Sequence, residues 1–333
     1  MLRVCIIGGS GHYRYVLEGL DERVLLVGFA AGSDGEDIGK LAAAIAERKL
    51  DVRAFEDWQS MLDICQPDVV AVNCHFGDHA CINIACLQRG LHVFSEKPVA
   101  TTFEDLDAVR AAHRATDKCF SAMFGIRYKP WFLAAHAAVK AGEIGEVRLM
   151  QAQKSYKLGA RPAFFADRDA YGGTIAWVGS HAIDWLRWIS GERFESVFAT
   201  QSARHNNHNG MLEVSAQCQF TMSNEVCASV SIDYLRPPTA PSHDDDRIRI
   251  VGAEGVLEVR EKQVLLINGG ASGARALPLP VERSIFAEFV DEILGANGGT
   301  NFFLPSAGDA FAATEASLKA RQSADEYRLV EFR

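Results

Sequence analysis

The sequence predicts an α/β chain of two domains, a doubly wound parallel sheet followed by a second, sheet-rich domain, and three observations carry that prediction. The chain has 333 residues, more than one hydrophobic core ordinarily supports. Its first third alternates short Val/Ile/Leu runs with segments of helical periodicity. Beyond Gly125 the alternation gives way to consecutive strand-like segments separated by turn residues.

Residues 2–7, 24–30, 69–73 and 91–94 have the composition of strands buried on both faces. Between them 15–20, 38–49 and 79–89 read as helices; in the last, Ile82, Ala85 and Cys86 share one face. Strand, helix and strand repeated in this way imply right-handed crossovers and a parallel sheet. A helix over 103–115 and a strand over 119–124 complete a first domain of residues 1–124, leaving 125–333 for the second. There, 130–140 reads as a helix, 146–156 as a strand, 157–171 as irregular and 175–189 as a helix. Successive strands from Phe194 to Ile267 suit an antiparallel sheet, and two helices follow over 284–294 and 307–321.

Composition narrows the class. Hydrophobic residues make up 48% and charged residues 23%, as in soluble globular proteins. The net charge is −9 and the basic residues are scattered, which argues against a nucleic-acid partner and against an anionic membrane surface. No apolar run approaches the roughly 20 residues that span a bilayer. The start runs straight into a glycine cluster without a cleavage-site pattern, so no secretion leader is expected. There are 8 cysteines and no CxxC pair; Cys5, Cys74, Cys86 and Cys119 lie in apolar stretches, as buried thiols of a cytoplasmic protein would.

The first strand leads into Gly8-Gly9-Ser10-Gly11-His12-Tyr13 and a helix. Strand, glycine turn and helix start make an anion site, because backbone N–H groups and the positive helix end face the ligand. The dinucleotide fingerprint asks for glycine at the first, third and sixth places. Counted from Gly8, Ser10 and Tyr13 stand at the latter two; counted from Gly9, Gly11 fits and Arg14 does not. A tight turn without a ligand is the competing reading. After the second strand an acid would bind the adenosine ribose hydroxyls, whereas an arginine would favour a 2′-phosphate. Ser33 and Asp34 lie there, Asp34 a few residues late, so NAD and NADP both stay open.

Val93-Phe94-Ser95-Glu96-Lys97-Pro98 is a buried strand ending in a charged pair, where open α/β sheets place their ligands. Pro98 restricts Lys97 to an extended backbone and permits a cis bond. A lysine there can face a developing alkoxide or shuttle protons; a solvated Glu96–Lys97 pair is the alternative. This segment, preceded by His79 and a helix ending in Gly90, resembles the glucose–fructose oxidoreductase / inositol dehydrogenase (Gfo/Idh/MocA) family. The likeness continues through Arg127-Tyr128-Lys129-Pro130, Gly142-Glu143-Ile144-Gly145-Glu146-Val147, Gly172-Gly173 and Gly179-Ser180-His181-Ala182-Ile183-Asp184, and reaches Ala310, Glu315 and Ser323. It implies an N-terminal Rossmann domain and a C-terminal α+β domain with an open antiparallel sheet, whose exposed face would join a homodimer or homotetramer. It also implies NAD or NADP as cofactor, contacted by Gly8, Ser10, Gly11, His12, Ser33, Asp34, Asn73, His75, His79, Glu96 and Lys97, and a sugar, cyclitol or related polyol as substrate.

On a helix over 175–189, Trp177, His181, Asp184 and Trp188 line one side. A histidine beside a carboxylate can accept a proton near neutral pH; a core histidine held by Asp184 is the bland alternative. The resemblance makes Lys97 and His181 catalytic, expected to meet beside the nucleotide, with His181 removing the hydroxyl proton and Lys97 stabilising the alkoxide. It also places an acid one turn before the histidine, where this chain has Trp177. Asp184 is the candidate to orient His181 instead, and Trp177 offers a stacking surface to a sugar ring. Arg127, Tyr156, Trp177 and His181 are the expected substrate contacts, with Tyr128, Lys154 and the 161–168 loop as further candidates. His205, His208 and His243, the last beside Asp244-Asp245-Asp246, read as solvated turn and charge-run residues, and no metal is expected. Two other readings stay open: a non-catalytic nucleotide or sugar sensor, and a hydrolase or lyase that oxidises its sugar transiently on a tightly bound cofactor.

Overall fold

The computed structural model describes residues 1–270, 273–296 and 303–332. They fall into two compact units: Met1–Gly125 with Asp169–Gly172 and Arg283–Thr314, and Ile126–Arg168 with Gly173–Glu282 and Glu315–Arg333. The division between Gly125 and Ile126 adjoins the expected 124/125 boundary, but the second part of the chain is not continuous. The late segment joins the first unit because its aromatic residues bury there. Phe289 stacks on Phe94 with ring centroids 5.2 Å apart, Phe286 lies tilted against the same ring at 5.5 Å, and Phe311 lies 5.3 Å from Phe120.

The first unit holds a six-stranded sheet of β1 (Leu2–Ile7), β2 (Val24–Ala30), β3 (Arg53–Ala54), β4 (Val69–Val72), β5 (His92–Ser95) and β6 (Phe120–Ala122). The strands run in the order β3-β2-β1-β4-β5-β6, and every pairing is parallel. Helices α1 (Arg14–Glu18), α2 (Gly39–Glu47), α3 (Trp58–Cys65), α4 (His79–Gln88) and α5 (Phe103–Arg114) connect them. β3 and α3 escape the sequence pattern: β3 is only two residues long and exposed, and the short α3 starts at Asp57, whose side chain accepts from the Ser60 N–H at 2.7 Å. The strand order reverses between β1 and β4, and ligands of open sheets bind outside the strand ends at such a point. Of the cysteines expected to be buried, Cys119 is only half-buried, whereas Cys5, Cys74 and Cys86 are inaccessible.

The second unit opens with α6 (Pro130–Lys140), β7 (Val147–Tyr156), α7 (Arg168–Tyr171, mostly assigned to the first unit) and α8 (Ser180–Ser190). Strands β8 (Phe194–Ser202), β9 (Ser215–Met222), β10 (Val226–Asp233), β11 (Asp244–Gly252), β12 (Gly255–Arg260), β13 (Gln263–Asn268) and β14 (Arg275–Ala276) follow. Helices α9 (Ile285–Ile293) and α10 (Ala307–Glu326) precede the last strand, β15 (Val330–Glu331). The sheet order is β14-β13-β12-β11-β7-β10-β9-β8-β15. It is mixed rather than purely antiparallel, since β10 runs parallel to β7 while the other pairings are antiparallel. Joining two parallel strands requires a crossover, and here that crossover carries α8.

One face of this sheet packs on α6 and α8 through Met150, Ala152, Val230, Ile232, Ile248 and Ile250. The opposite face carries Gln151, Gln153, Gln217, Ser229, Ser231 and Arg247 around an open groove. Lys154 interrupts the apolar face. It is 1% exposed, and its ammonium meets both oxygens of Asp246, directly across the β7–β11 pair, at 2.6 and 2.7 Å. Burial pushes the Lys154 ammonium down and the Asp246 carboxyl up, and their mutual attraction works against both shifts. Asp246 is therefore not part of a solvated charge run. An enclosed pair of this kind gains little net stability but is costly to break. Asp246→Ala is expected to destabilise the chain by about 3–5 kcal/mol, whereas Lys154→Met with Asp246→Leu restores most of that loss, as read by urea denaturation of the full chain.

Candidate active site

The nucleotide side is built where β1 and β4 end together. Gly8 has φ +90°, and a Cβ there would lie 2.2 Å from the backbone nitrogen of Cys74, so only glycine lets the loop hug the neighbouring strand exit. The N–H groups of Ser10 and Gly11 both donate to the Asn73 carbonyl at 2.9 Å. A Cβ on Gly11 would sit 2.7 Å from Glu96 Oε2 and 3.1 Å from Asn73 Oδ1. Ser10 and Tyr13, at the third and sixth fingerprint places, have other employment: Ser10 Oγ donates to Glu36 Oε1 at 2.5 Å, and Tyr13 is buried. The following helix α1 has only five residues, too short to present the expected helix-end site.

The acid at this loop is Glu36, not Asp34. Glu36 Oε1 accepts from Gly9 N–H (2.9 Å), Ser10 N–H (3.1 Å) and the Ser10 hydroxyl, and Oε2 accepts from Gly32 N–H (2.9 Å) and Ser33 N–H (3.3 Å). Asp34 is exposed. Sequence spacing could not single out Glu36, because 32–37 holds three acids and the path of the loop decides which one turns inward. Ser33 contributes its hydroxyl to the His75 N–H at 3.0 Å, tying the loop after β2 to the one after β4.

At the end of β5, Glu96 and Lys97 are buried, not solvated, and the Lys97–Pro98 bond is cis. Glu96 Oε2 accepts from the His12 N–H and from His12 Nδ1, both at 2.6 Å, and Oε1 accepts from the Lys97 N–H at 2.8 Å. Burial alone would push the Glu96 carboxyl up, but His12 and Lys97 outweigh it and hold the group below its ordinary range. His79, expected at the cofactor, joins two strand exits: Nδ1 lies 2.7 Å from the Pro98 carbonyl and Nε2 3.2 Å from that of Cys74. Burial pushes its pKa down, so it is neutral and can donate to only one of them. Asn73 is fully buried, and among the described residues neither atom of its side-chain amide has a hydrogen-bond partner. An unsatisfied amide beside Gly11 and Glu96, at the strand-order reversal, fits a polar ligand such as a nicotinamide dinucleotide.

In the second unit, the expected helix begins as a π turn over Ile175–Gly179 before α8. Such turns recur at functional sites because they re-aim side chains. A Cβ on Gly179 would meet Ile232 Cδ1 at 2.5 Å, so the turn lies directly on β10. Trp177 in the turn and His181 in α8 are 9% and 1% exposed. Asp184, expected to orient His181, is engaged by Arg127: Nε donates to Oδ2 at 2.7 Å and Nη2 reaches Oδ1. The Arg127 guanidinium also lies 5.3 Å from the Trp188 ring. Arg127 and Asp184 are both buried, which binds the start of the second unit to α8 as a bidentate fork. Tyr156, at the end of β7, stacks on His243 and Tyr234 at 5.0 and 6.2 Å, with the Lys154 ammonium 4.5 Å from its ring.

Comparison with known proteins places the chain in a family. Residues 2–124 match the model of the oxidoreductase family with an NAD-binding Rossmann fold, and 132–258 match a Gfo/Idh/MocA C-terminal domain. A solved protein of Thermotoga maritima is 47% identical with a TM-score of 0.96, covering 99% of this chain and all of its own. The myo-inositol 2-dehydrogenase of the same organism is 28% identical over 69% of each chain. The levoglucosan dehydrogenase of Pseudarthrobacter phenanthrenivorans is 29% identical over 49% of this chain and 43% of its own. A levoglucosan dehydrogenase solved with NADH and levoglucosan shares the fold at a TM-score of 0.82 and 18% identity, over all of this chain and 99% of its own. With both of its parts matched, the chain belongs to the Gfo/Idh/MocA family of oxidoreductases, and residues 2–124 form that family's NAD-binding Rossmann domain.

Proposed function

We propose that the protein is a nicotinamide-dependent dehydrogenase acting on a secondary alcohol of a sugar, cyclitol or related polyol. The observation that carries this reading is a buried lysine, Lys97, at the end of β5 next to Glu96, where Gly8, Gly11 and the unsatisfied amide of Asn73 meet at the strand ends. The substrate class is supported by relatives named for myo-inositol and levoglucosan. A nicotinamide nucleotide bound at this loop would supply the acceptor for the hydride of the carbinol carbon. Lys97 places its ammonium against the alkoxide that develops, and His181 takes the hydroxyl proton. Arg127 and Asp184 act on this chemistry by positioning α8, and Trp177 and Tyr156 offer apolar ring faces to the substrate.

Trp177 replaces the acid that the family resemblance places before the histidine, and that favours one competing reading, a sensor that binds nucleotide without turnover. Lys97→Met and His181→Ala separate the two. Each is expected to lower turnover by about 10²–10⁴-fold while leaving NADH binding largely intact. A chain that binds NADH but oxidises no polyol, whatever residue stands at 97, would be the sensor.

Glu36 supports a preference for NAD over NADP. Its carboxylate can exchange the rotatable Ser10 hydroxyl and the long Ser33 contact for two ribose hydroxyls, whereas a 2′-phosphate would meet a negative charge anchored by backbone donors. Glu36→Gln is expected to weaken NADH binding about tenfold and to narrow the gap to NADPH, with Asp34→Asn changing neither. Fluorescence titration of both nucleotides checks this, and equal affinity in the unaltered protein would remove the assignment. For assembly, the polar outer face of the second sheet is the proposed contact of a homodimer or homotetramer. Light scattering is expected to show a single species of two or four chains, and a monomer at micromolar concentration would refute it.

A further inference from the structure

The loop over 157–168 leaves a cation without an acid. Arg161 is half-buried, and its Nη2 donates to the Lys157 carbonyl at 2.9 Å. Among the described residues its Nε–H is buried with no hydrogen-bond partner, and no carboxylate pairs with the guanidinium. Aromatic rings hold it instead: the guanidinium lies 4.4 Å from the Tyr234 ring and 5.5 Å from that of Phe165. Lys157 is likewise bound to carbonyls, those of Pro238 and Ala240, rather than to an acid. A guanidinium that is stacked in place but short of acceptors is preorganised for an anion that comes from outside.

The sheet puts this group on the face that carries the His181 helix. Residues two apart on a strand share a face. On β10, Ile232 meets Gly179 at the start of α8, and on β7 the Lys154 ammonium lies 5.7 Å from the Trp185 ring of α8. Two positions further along, Tyr234 and Tyr156 continue that face to the strand ends, with ring centroids 6.2 Å apart, and His243 stacks on Tyr156 at 5.0 Å. Of the acids there, Asp246 is held by Lys154, Asp245 by Arg236 and Arg247, and Asp233 accepts from the Ser155 hydroxyl and the Leu235 N–H. Asp244 is exposed. The charge balance felt at His243 is positive: after burial, Arg161 pushes its pKa down most, joined by Lys154 and Lys157 against Asp244.

We propose that Arg161 binds a carboxylate of the substrate, so the polyol this chain oxidises is a sugar acid. The proposal rests on the dehydrogenase reading and narrows its substrate. The planar fork of a guanidinium matches a planar carboxylate. A phosphate ester carries up to about two negative charges and would call on Lys157 as well, whose ammonium is committed to carbonyls. The carboxylate takes no part in hydride transfer; it fixes the orientation of the sugar. The competing role for Arg161 is a stack that only pins its loop to the sheet, which would contribute stability and leave substrate preference untouched.

The test is NAD reduction by the full chain with sugars offered in matched pairs, glucose against glucuronate and galactose against galacturonate, and with glucose 6-phosphate as the phosphate arm. The unaltered protein is expected to favour the acid of a pair by about 10–100-fold in kcat/KM. Arg161→Met is expected to bring that ratio to about one through KM, and Arg161→Lys, which keeps the charge but not the fork, to restore part of it. An acid preference that survives in Arg161→Met, with only the melting temperature lowered, overturns the proposal. So does an unaltered protein that favours the neutral sugars or the phosphate ester, and in that case the dehydrogenase reading stands. Turnover of none of these compounds instead overturns the dehydrogenase reading, and this inference with it.

Discussion

The site in the first unit depends on how closely two strand exits approach each other. Gly8 lies against the backbone of Cys74, and the carbonyl of Asn73 takes two N–H groups of the glycine loop. Because β1 and β4 are adjacent where the strand order reverses, the segments leaving them must part to opposite sides, and the space between them becomes the crevice. A side chain at Gly8 would collide with the Cys74 backbone, and one at Gly11 with Glu96, so both must be glycine for the strand ends to meet this closely. With those two glycines present, the third and sixth fingerprint places are free to serve the loop in other ways, and Ser10 and Tyr13 do.

Charge is arranged around this crevice in layers. Glu36 reaches the loop from the segment after β2 and Glu96 from the end of β5, and each is satisfied by backbone donors. A buried carboxylate with several N–H partners is fixed in place, so its field is a permanent feature of the site. Lys97, next to Glu96, is thereby held beside a carboxylate that keeps its charge. His79 joins the carbonyls that bracket the same strand ends.

The second unit solves a different problem, holding a histidine-bearing helix on a sheet. Arg127 clasps Asp184, Gly179 admits Ile232, and the Lys154 ammonium lies 5.7 Å from the Trp185 ring, one turn along α8 from His181. The carboxylate nearest in sequence to the histidine is thus bound to an arginine, and the position where the family resemblance expects an acid is an indole. The helix that bears His181 is fixed by these contacts, with Trp177 in the turn before it.

Most of the architecture was legible in the residues. Short apolar runs at regular spacing defined the parallel sheet, because strands buried on both faces must be apolar throughout. What the sequence alone could not decide was which polar groups face one another. Asp34 and Glu36 differ by two positions in a flexible-looking loop, Asp184 lies three residues from His181 but pairs with Arg127, 57 residues away, and Asp246 sits in an acidic run yet is buried against Lys154. Periodicity is a local property, so it reports burial and secondary structure. The partner of a charged side chain is set by which segments the tertiary fold brings within a few ångströms, and only the folded chain determines that.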